Sequence, residues 1–394
     1  MANVSSSNGL EKRPKLRFPG FDEPWKETVL SSVLTERNEY AEKDGTYEHA
    51  TLSKEGIYGK TARYDRDFLV STENKKYKVT HLGDLCYNPA NLKFGVICLN
   101  TYGDAIFSPI YVTFEIDASS DPDFIGAYLT RWDFINRALK YQQGTVYERM
   151  AVSPEDFVSI KCCFPQKAEQ TRLAEFITLL DNRIAAQGKY VESLKKYKRG
   201  LLSAVFSQNV SMFSTADFYA FSELAVRRSE KYDPKCNAHA TCIELEHIEQ
   251  ETGRIIGSTC ADYQNSIKTV CKPGDVMFGK LRPYLRKYAF VQKECVCSSE
   301  IWSLIPTDIV IPKYLFYLIQ SEAFMKVANV SSGTKMPRAE WSTIAKSGYL
   351  IPSKDDQQAT VDILETADRI IASHVASYDR FIEYKKGLLQ RLFI

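Results

Sequence analysis

The chain lacks long apolar runs and any segment that resembles a secretion signal. A membrane-spanning helix needs about 18 or more uninterrupted apolar residues, and no stretch approaches that length. The opening segment MANVSSSNGLEKRPK also lacks the apolar core of a signal peptide. We therefore expect no membrane span, a disordered tail over residues 1–15, and a cytoplasmic protein.

Short motifs that mark common catalytic sites are also missing. The sequence contains no GxGxxG, GxSxG or HExxH, which argues against the sites that those motifs build. Gly59–Thr61 resembles the end of a phosphate-binding loop, but Lys54 stands where its first glycine belongs. Tyr87–Ala90 approaches the Asn-Pro-Pro-aromatic motif of adenine methyltransferases without its second proline or its aromatic residue. We predict a strand-end turn there and no catalytic centre in the chain.

The ten cysteines form neither a metal nor a disulfide pattern. No CxxC pair occurs, and Cys236, Cys242 and His247 do not have a zinc spacing. A chain of 394 residues can bury a core without disulfides. We therefore expect reduced thiols and no bound metal.

Length and charge set broad limits. A chain of 394 residues suggests two domains or more. Its 51 basic and 49 acidic residues give a net charge of only +2, which does not by itself indicate a nucleic-acid-binding protein. The local distribution of charge carries more information than this sum.

The chain contains a tandem repeat. YKRGLLSAVF begins at Tyr197, and YKKGLLQRLF begins 187 residues later at Tyr384. At the same offset the repeat matches Pro165/Pro352, Gln170/Gln357, Asp181/Asp368 and Ile184/Ile371. Sparser matches occur in the same order upstream. Gly83–Leu85 matches Gly274–Val276, and Gly144-Thr145 with Arg149 matches Gly333-Thr334 with Arg338. Ordered matches over most of a half indicate a duplication.

Each repeat ends in a long amphipathic helix, predicted over residues 166–207 and 353–394. Apolar residues recur at spacings of three and four, which is typical of a heptad seam. The seam residues that we expect at a helix-pair interface are Ile177, Leu180, Ile184, Val191, Leu194 and Leu201 in the first copy, and Leu364, Ile371, Tyr378, Phe381 and Leu388 in the second. We expect the helices to pack on each other, the alternative being that each packs on its own globular domain.

Polar and glycine positions recur along these helices. Gln187 and His374 occupy equivalent seam positions and are predicted to fix the register, not to bind a metal. Gly200 and Gly387 each cost about 1 kcal/mol relative to alanine inside a helix. Their recurrence predicts a close helix contact or a bend.

The globular halves, residues 16–165 and 208–352, mix both kinds of secondary structure. Segments 110–116, 274–278 and 300–305 combine β-branched and aromatic residues at strand length. Shorter helical stretches follow near 123–140 and 312–328. The halves diverge more than the helices do, which suggests two different ligands of one class.

Clusters of basic and aromatic residues predict DNA contacts in both halves. Segment 272–292 has five basic residues and one acidic residue among aromatic side chains. Glycine turns with a hydroxyl residue and an arginine can hold a phosphate. The candidates are Tyr58, Lys60, Lys75, Lys76, Lys78, Thr145, Tyr147 and Arg149 in the first half, and Lys280, Arg282, Tyr284, Arg286, Lys287, Thr334, Lys335 and Arg338 in the second. A solvated loop is the alternative for any single cluster.

The pattern resembles the specificity subunit of type I restriction-modification systems. The resemblance covers nearly the whole chain after the tail. The motifs that carry it are Leu16-Arg17-Phe18-Pro19-Gly20-Phe21 with Trp25, Gly144-Thr145 with Arg149, Phe164-Pro165 followed by Glu169-Gln170, and Tyr197-Lys198-Arg199-Gly200-Leu201-Leu202, with their second-half counterparts.

This resemblance implies an α+β fold. Two mixed α/β target recognition domains would stand in a tandem pseudo-twofold repeat, separated by two long helices that form an antiparallel coiled coil. Each domain would read one half of a bipartite double-stranded DNA target. Two adenine-methyltransferase (M) subunits would dock around the helices, and motor-nuclease (R) subunits would join for cleavage. S-adenosylmethionine, ATP and magnesium would belong to those partners, with no cofactor bound by this chain.

Departures from the family pattern concern the second half. Asp356 stands where the first half has Glu169, and Tyr378 and Phe381 lie on a seam that is aliphatic in the first copy. The second half keeps only Phe218–Leu224 as an echo of the opening motif.

Two alternatives stay open. The first is an orphan DNA-binding repeat protein, or an anti-restriction decoy, without a methyltransferase partner. The second is a nuclease that uses Asp67, Glu73 and Lys75.

Overall fold

The computed structural model divides the chain into two compact units. One unit combines Met1–Ala186 with Asp379–Ile394, and the other is Gln187–Tyr378. Each unit therefore contains one globular half and part of both long helices. The structure describes residues 2–3, 12–43, 45–60, 76–143, 150–207, 215–235, 239–261, 265–330 and 336–394.

The first globular half is rich in short strands. Its strands are β1 (Ala2–Asn3), β2 (Leu16–Arg17), β3 (Lys26–Val29), β4 (Leu34–Glu36), β5 (Tyr40–Ala41), β6 (Glu48–Ser53), β7 (Gly56–Gly59), β8 (Tyr77–Thr80), β9 (Leu85–Tyr87), β10 (Ile97–Leu99), β11 (Ala105–Phe107), β12 (Val112–Ile116) and β13 (Lys161–Phe164). Its helices are α1 (Pro122–Leu129), α2 (Trp132–Ala138) and α3 (Pro154–Val158), and the long helix α4 (Lys167–Val205) follows.

The second half repeats this series. Its strands are β14 (Ala216–Ala220), β15 (Ala225–Arg227), β16 (Lys231–Tyr232), β17 (Thr241–Ile243), β18 (Thr259–Cys260), β19 (Lys268–Cys271), β20 (Val276–Gly279), β21 (Tyr288–Phe290), β22 (Cys295–Cys297), β23 (Ile301–Pro306) and β24 (Gly348–Pro352). Its helices are α5 (Phe221–Leu224), α6 (Pro312–Leu318), α7 (Glu322–Ala328) and α8 (Trp341–Ile344), and the long helix α9 (Lys354–Leu392) follows.

The sheets of the two units have the same strand order. A four-stranded sheet runs β10-β9-β12-β4 in the first unit and β21-β20-β23-β15 in the second. A five-stranded sheet runs β5-β8-β11-β6-β7 and β16-β19-β22-β17-β18, with one parallel pair at the equivalent place in each. A two-stranded pair, β13-β3 or β14-β24, completes the match. The predicted duplication is therefore a duplication of topology.

Local sequence explains where the short helices begin. Asp121 precedes α1, and its Oδ1 accepts a hydrogen bond from the backbone N–H of Phe124 at 3.0 Å. Ser321 plays the same part for α7, where its Oγ accepts from the N–H of Phe324 at 3.2 Å. Such side chains satisfy amides that have no partner inside the helix. Pro122 stands at the first position of α1, where its fixed φ favours the helix.

Each globular core also contains the end of a long helix. In the first unit, Tyr87 stacks on Phe157 with ring centroids 4.7 Å apart, and Leu392 and Phe393 at the end of α9 join the same buried cluster. In the second unit, Leu202 at the end of α4 and the following Phe206 are part of the cluster around Phe221 and Phe278. The core of the first domain is thus completed by the C-terminal end of the second repeat.

The predicted fold is confirmed. The long helices begin and end within two residues of the predicted bounds. The three predicted strand segments overlap β12, β20 and β23, the last two of which end one residue beyond the prediction. Tyr87–Ala90 is a strand-end turn in which Asn88 Oδ1 accepts from the N–H of Ala90 at 3.1 Å. In the described part of the chain, no helix combines the length and the apolar character that a membrane crossing requires.

The N-terminal predictions need adjustment. Residues 1 and 4–11 of the predicted tail lie outside the described residues, but Pro14 is already buried and the carbonyl of Lys12 accepts from the N–H of Trp25 at 2.9 Å. The proposed echo of the opening motif is wrong. Strand pairing makes β14 equivalent to β3, so Phe218–Leu224 corresponds to residues 27–33.

Candidate nucleic-acid interface and helix pair

Inside the first unit, the start of α4 runs antiparallel to the end of α9. Asp181 forms an ion pair with Lys385. The Arg183 guanidinium lies over the Phe381 ring, 5.6 Å from its centroid. Ile177 precedes Asp181 on α4 and Leu388 follows Lys385 on α9, and both are buried in the core of the first domain. Residue numbers rise on one helix as they fall on the other.

The second unit pairs the other parts of the helices in the same way. Lys198 Nζ lies 2.6 Å from Asp368 Oδ1, and Lys198 is 7% exposed. Gln187 Nε2 lies 3.0 Å from His374 Nδ1 and donates to the His374 carbonyl at 3.2 Å. The repeated motif thus supplies a lysine in each copy, and each lysine pairs with the aspartate of the other copy's helix.

The predicted seam residues lie inside these helix contacts or against the cores. Ile177, Val191, Leu364 and Leu388 are buried, and Leu180, Ile184, Leu194, Leu201, Ile371, Tyr378 and Phe381 are half-buried. Helix-on-helix and helix-on-domain packing, considered as alternatives, therefore both occur, because the seam continues into each core at the helix ends.

The glycines of the long helices explain the aromatic Tyr378 on the second seam and contradict the close contact expected at Gly200 and Gly387. A Cβ on Gly188 would lie 3.2 Å from the Tyr378 ring, so the large aromatic residue in the second copy faces a glycine in the first. Gly200 and Gly387 have open space around the position of a Cβ among the described residues. The prediction that they mark a close helix contact within the chain is therefore wrong.

A buried glutamine anchors the start of each long helix. Gln170 Nε2 donates to the Pro165 carbonyl at 2.9 Å, and its Oε1 accepts from the N–H of Asp121 at 2.9 Å. Gln357 makes the equivalent bonds to Pro352 (3.0 Å) and Ile311 (2.8 Å). Each glutamine thus joins its long helix to the residue before an equivalent short helix of its own domain, α1 or α6.

An arginine paired with a buried aspartate also recurs, and the sequence repeat had indicated only the aspartate. Arg37 Nε and Nη2 donate to Asp84 at 3.0 and 3.1 Å, and Arg228 donates to Asp275 at 2.6 and 2.7 Å. Hydrogen bonding to Asp84 raises the pKa of Arg37. The Gly-Asp match of the repeat therefore marks a structural ion pair.

The candidate DNA-binding residues of the first half that the structure describes lie around β7 and β8. Tyr58 is half exposed and donates to the Glu55 carbonyl at 3.0 Å, Lys60 is half-buried, and Lys76 is exposed. Gly59 lies in strand β7, which agrees with the rejection of a phosphate loop. Lys75, Thr145, Tyr147 and Arg149 lie outside the described residues, as do Asp67 and Glu73 of the nuclease alternative.

Lys78 does not have the exposed position that was predicted for a DNA contact. Its side chain is 2% exposed, and its Nζ donates to Glu36 Oε1 at 3.0 Å and to Asn38 Oδ1 at 2.9 Å. A buried lysine that is already paired cannot also neutralise a phosphate in this conformation. Sequence spacing placed it in a basic cluster, but β8 is buried at every position.

In the second half, the basic segment forms the loop between β20 and β21. Arg282 and Tyr284 are exposed there, and Lys280 is half-buried. Arg282 and Arg286 have φ values of 51° and 50°, a left-handed conformation that costs roughly 1–2 kcal/mol for a residue with a Cβ. Such strained residues are often found at binding sites.

Other candidate cations of the second half have protein partners. Arg286 donates to Glu322 at 2.6 and 2.7 Å, and Lys287 donates to the Leu245 carbonyl at 2.6 Å. Arg338 donates to both oxygens of Glu300 at 3.1 Å. Thr334 and Lys335 lie outside the described residues. Arg282, Tyr284 and Arg338 are therefore the exposed candidates among the described residues of this half, and Arg338 is held in an ion pair.

Cysteine chemistry does not add a site in the described chain. Its cysteines are free thiols, and burial raises the pKa of Cys98 to about 12, which keeps this thiol protonated and unreactive. In the ranges that the structure describes, no group of three or more potential metal ligands lies together.

Parts of the chain are similar to known proteins. Residues 230–379 match the type I restriction modification DNA specificity domain. The chain is 22% identical to the MjaVIII specificity subunit of Methanocaldococcus jannaschii over 269 residues, 61% of this chain and 63% of that protein. It is 30% identical to the HindI specificity subunit of Haemophilus influenzae over 145 residues, 35% of this chain and 31% of that protein. These parts of the chain are similar to type I restriction-modification specificity subunits.

These matches differ in extent. Each covers less than two thirds of the curated relative's length. The fold is shared more widely, because a chain from a structure on complex assembly of the type I restriction-modification system superposes with a TM-score of 0.60 at 15% identity. That superposition covers 96% of this chain and 99% of the other.

Most of the described DNA candidates of the two halves lie on elements that are not equivalent. In the first half, they lie on the β6–β7 hairpin and around β8, whose counterparts are β17–β18 and β19. In the second half, five of the six described candidates lie in the β20–β21 loop, whose counterpart is the β9–β10 loop. The sixth, Arg338, matches Arg149 in the sequence repeat, and Arg149 lies outside the described residues.

Proposed function

We propose that this chain is the DNA-recognition subunit of a type I restriction-modification enzyme and is not itself catalytic. Each globular domain would read one half of a bipartite double-stranded DNA target and direct adenine methylation or cleavage by partner subunits. The observation that carries this proposal is the duplicated topology, with the same sheets and helix anchors in both units but different side chains on equivalent loops.

The long helices are the proposed docking site for two adenine-methyltransferase subunits. Several large apolar side chains on them are exposed, including Tyr197 (64%) and its repeat equivalent Tyr384 (61%). In the second unit, Tyr197, Ile363 and Ile370 line a groove of about 450 Å³. Exposed apolar surface of this kind commonly marks a protein interface. Motor-nuclease subunits would join this assembly in the cytoplasm.

Cofactor chemistry is assigned to those partners. S-adenosylmethionine would be bound by the methyltransferase subunits, and ATP and magnesium by the motor-nuclease subunits. The net charge of +2 fits a chain that supplies local readout while partners neutralise most phosphates. DNA binding by the isolated chain should therefore be weak and sensitive to salt.

The test is to map methylated adenines in cells that carry the complete system. A bipartite motif is expected, and co-purification with a methyltransferase subunit separates this function from an orphan DNA-binding protein or decoy. Replacing residues 208–352 with another recognition domain should change one half-site, and a heptad-sized insertion in α4 should lengthen the spacer. A change in both half-sites, or a spacer that stays the same, would contradict the modular arrangement.

A further inference from the structure

A loop in the first domain that the sequence did not indicate as a DNA contact occupies the place of the basic loop in the second. Tyr87 pairs with Ile97 across the β9–β10 hairpin, and Phe278 pairs with Tyr288 across β20–β21. The intervening loops, 88–96 and 279–287, have the same length. They are also fastened alike, since the Pro89 carbonyl accepts from Val152 N–H at 3.3 Å and that of Lys280 from Ala339 N–H at 2.9 Å.

Each loop ends against the first residue of a short helix, but with different chemistry. In the first unit, a Cβ on Gly95 would lie 3.6 Å from the ring of Trp132, which begins α2. In the second unit, Arg286 forms an ion pair with Glu322, which begins α7. Gly95 has φ 78° and Arg286 has φ 50°, so the backbone turns alike at both places. The scaffold is kept while the presented groups change.

The first-domain loop presents aromatic surface. Phe94 is 60% exposed and Trp132 is 57% exposed. Lys93 Nζ lies 5.2 Å from the centroid of the Phe94 ring and adds a positive charge at the same place. Two large exposed aromatic side chains beside one cation suit a surface that contacts nucleobases while keeping an attraction for phosphates.

We propose that the 88–96 loop and Trp132 form the DNA-reading surface of the first domain, with Phe94 and Trp132 in apolar contact with base edges. This inference rests on the proposed function. Two copies of one fold meet the regular geometry of B-DNA in the same way when they use the same face, so the counterpart of the loop with Arg282 and Tyr284 is the expected reader. The apolar group in the major groove is the 5-methyl of thymine, which the first half-site should therefore contain.

The competing surface is the β6–β7 hairpin with Tyr58 and Lys60. The counterpart of this hairpin, β17–β18, contains none of the second-half candidates. Loops 88–96 and 279–287, in contrast, are equivalent in length, in anchoring and in the helix that each contacts at its end. The two surfaces are therefore distinguished by comparing DNA binding of a variant in loop 88–96 with that of a variant in the β6–β7 hairpin, each in the same complex.

The experiment uses the full chain assembled with its methyltransferase subunits. Binding to a duplex with the mapped bipartite target is measured for Phe94→Ala/Trp132→Ala and for Tyr58→Ala/Lys60→Ala. Loss of one or two base contacts should weaken binding by roughly 10- to 100-fold. The slope of affinity against salt should stay unchanged, because no phosphate contact is lost. Replacing thymine by uracil in the first half-site should weaken the parent complex but not the loop variant.

Half-site selection supplies the internal controls. The loop variant should accept changed bases in the first half-site only, while unchanged selection at the second shows that the complex is intact. Leu82→Ala, at a side chain that is 70% exposed and lies before β9, at the opposite end of that strand from the loop, should leave both half-sites unchanged. If the loop variant keeps normal affinity and selection, the inference is wrong, whatever the hairpin variant does. A parent complex that recognises no bipartite site would instead refute the proposed function.

Discussion

The buried ion pair between the opening strand and the first long helix offers a sharp test of the packing. Arg17 Nε and Nη2 donate to the two oxygens of Glu169 at 2.7 Å each, and the side chains are 5% and 1% exposed. Glu169→Gln removes the charge and turns an amide NH₂ group toward a buried guanidinium. Breaking a buried pair from one side typically costs about 3–5 kcal/mol, so we expect a loss in that range from the first unit.

The repeat supplies a matched control. Asp356 occupies the position equivalent to Glu169, but it is only half-buried, and its Oδ2 accepts from the Ser353 hydroxyl at 2.8 Å near the start of α9. Asp356→Asn should cost no more than about 1 kcal/mol. The double change Arg17→Met/Glu169→Leu should recover much of the loss, because no unpaired charge then stays buried.

Hydrogen exchange measured by mass spectrometry reads the two units separately. For Glu169→Gln, peptides from β3 and β13 should lose protection while peptides from β14 and β24 keep theirs. The corresponding thermal transition should fall by about 2–4 °C per kcal/mol. A Glu169→Gln effect no larger than that of Asp356→Asn would refute the assignment of stability to this pair.

Three further changes test separate contacts. Leu392 is fully buried in the first unit, although it lies at the end of the second repeat. Leu392→Ala should destabilise that unit by about 2–5 kcal/mol in urea unfolding. The control Ile394→Ala, at an exposed position, should cost under about 1 kcal/mol. Lys198→Met should cost the second unit about 1–3 kcal/mol, because the buried Gln320 Oε1 loses its lysine donor and Asp368 loses its ion pair. Lys385→Met, at the more exposed equivalent pair, should cost less than about 1 kcal/mol. Equal losses for the two variants would contradict the burial argument. Burial alone would lower the pKa of His81, but hydrogen bonds with two carboxylates outweigh it and raise that pKa. The stability that protonated His81 contributes is therefore complete below about pH 6.5 and disappears as the pH rises through the raised pKa. His81→Gln should thus destabilise the protein more at acidic than at alkaline pH. A loss of stability that does not depend on pH would contradict this.

Local patterns determined the architecture of this protein. The heptad spacing predicted both long helices to within two residues, because a helical seam is written in spacings of three and four along one segment. The ordered matches between halves predicted the duplication, and strands such as β12 followed from residue type. These features depend on neighbours in the chain, so one sequence suffices.

Tertiary structure decided which polar groups are available. Lys78 and Arg282 both belong to basic clusters in the sequence, yet Lys78 is buried against Glu36 and Asn38 while Arg282 is exposed. Arg37 shows no local sign that it pairs with Asp84. Such partners are distant in sequence, and burial on a folded sheet depends on which strands become neighbours.

The helix ends show the same division. Sequence periodicity placed Leu388 and Leu392 on an apolar face but did not reveal that this face completes the core of the first domain. The sequence also did not indicate the β9–β10 loop as a DNA contact, because Phe94 and Trp132 are far apart in the chain and Lys93 is the one basic residue of the loop. Spacing along one segment fixes a helix, whereas the surface that a domain presents is fixed by contacts between distant segments.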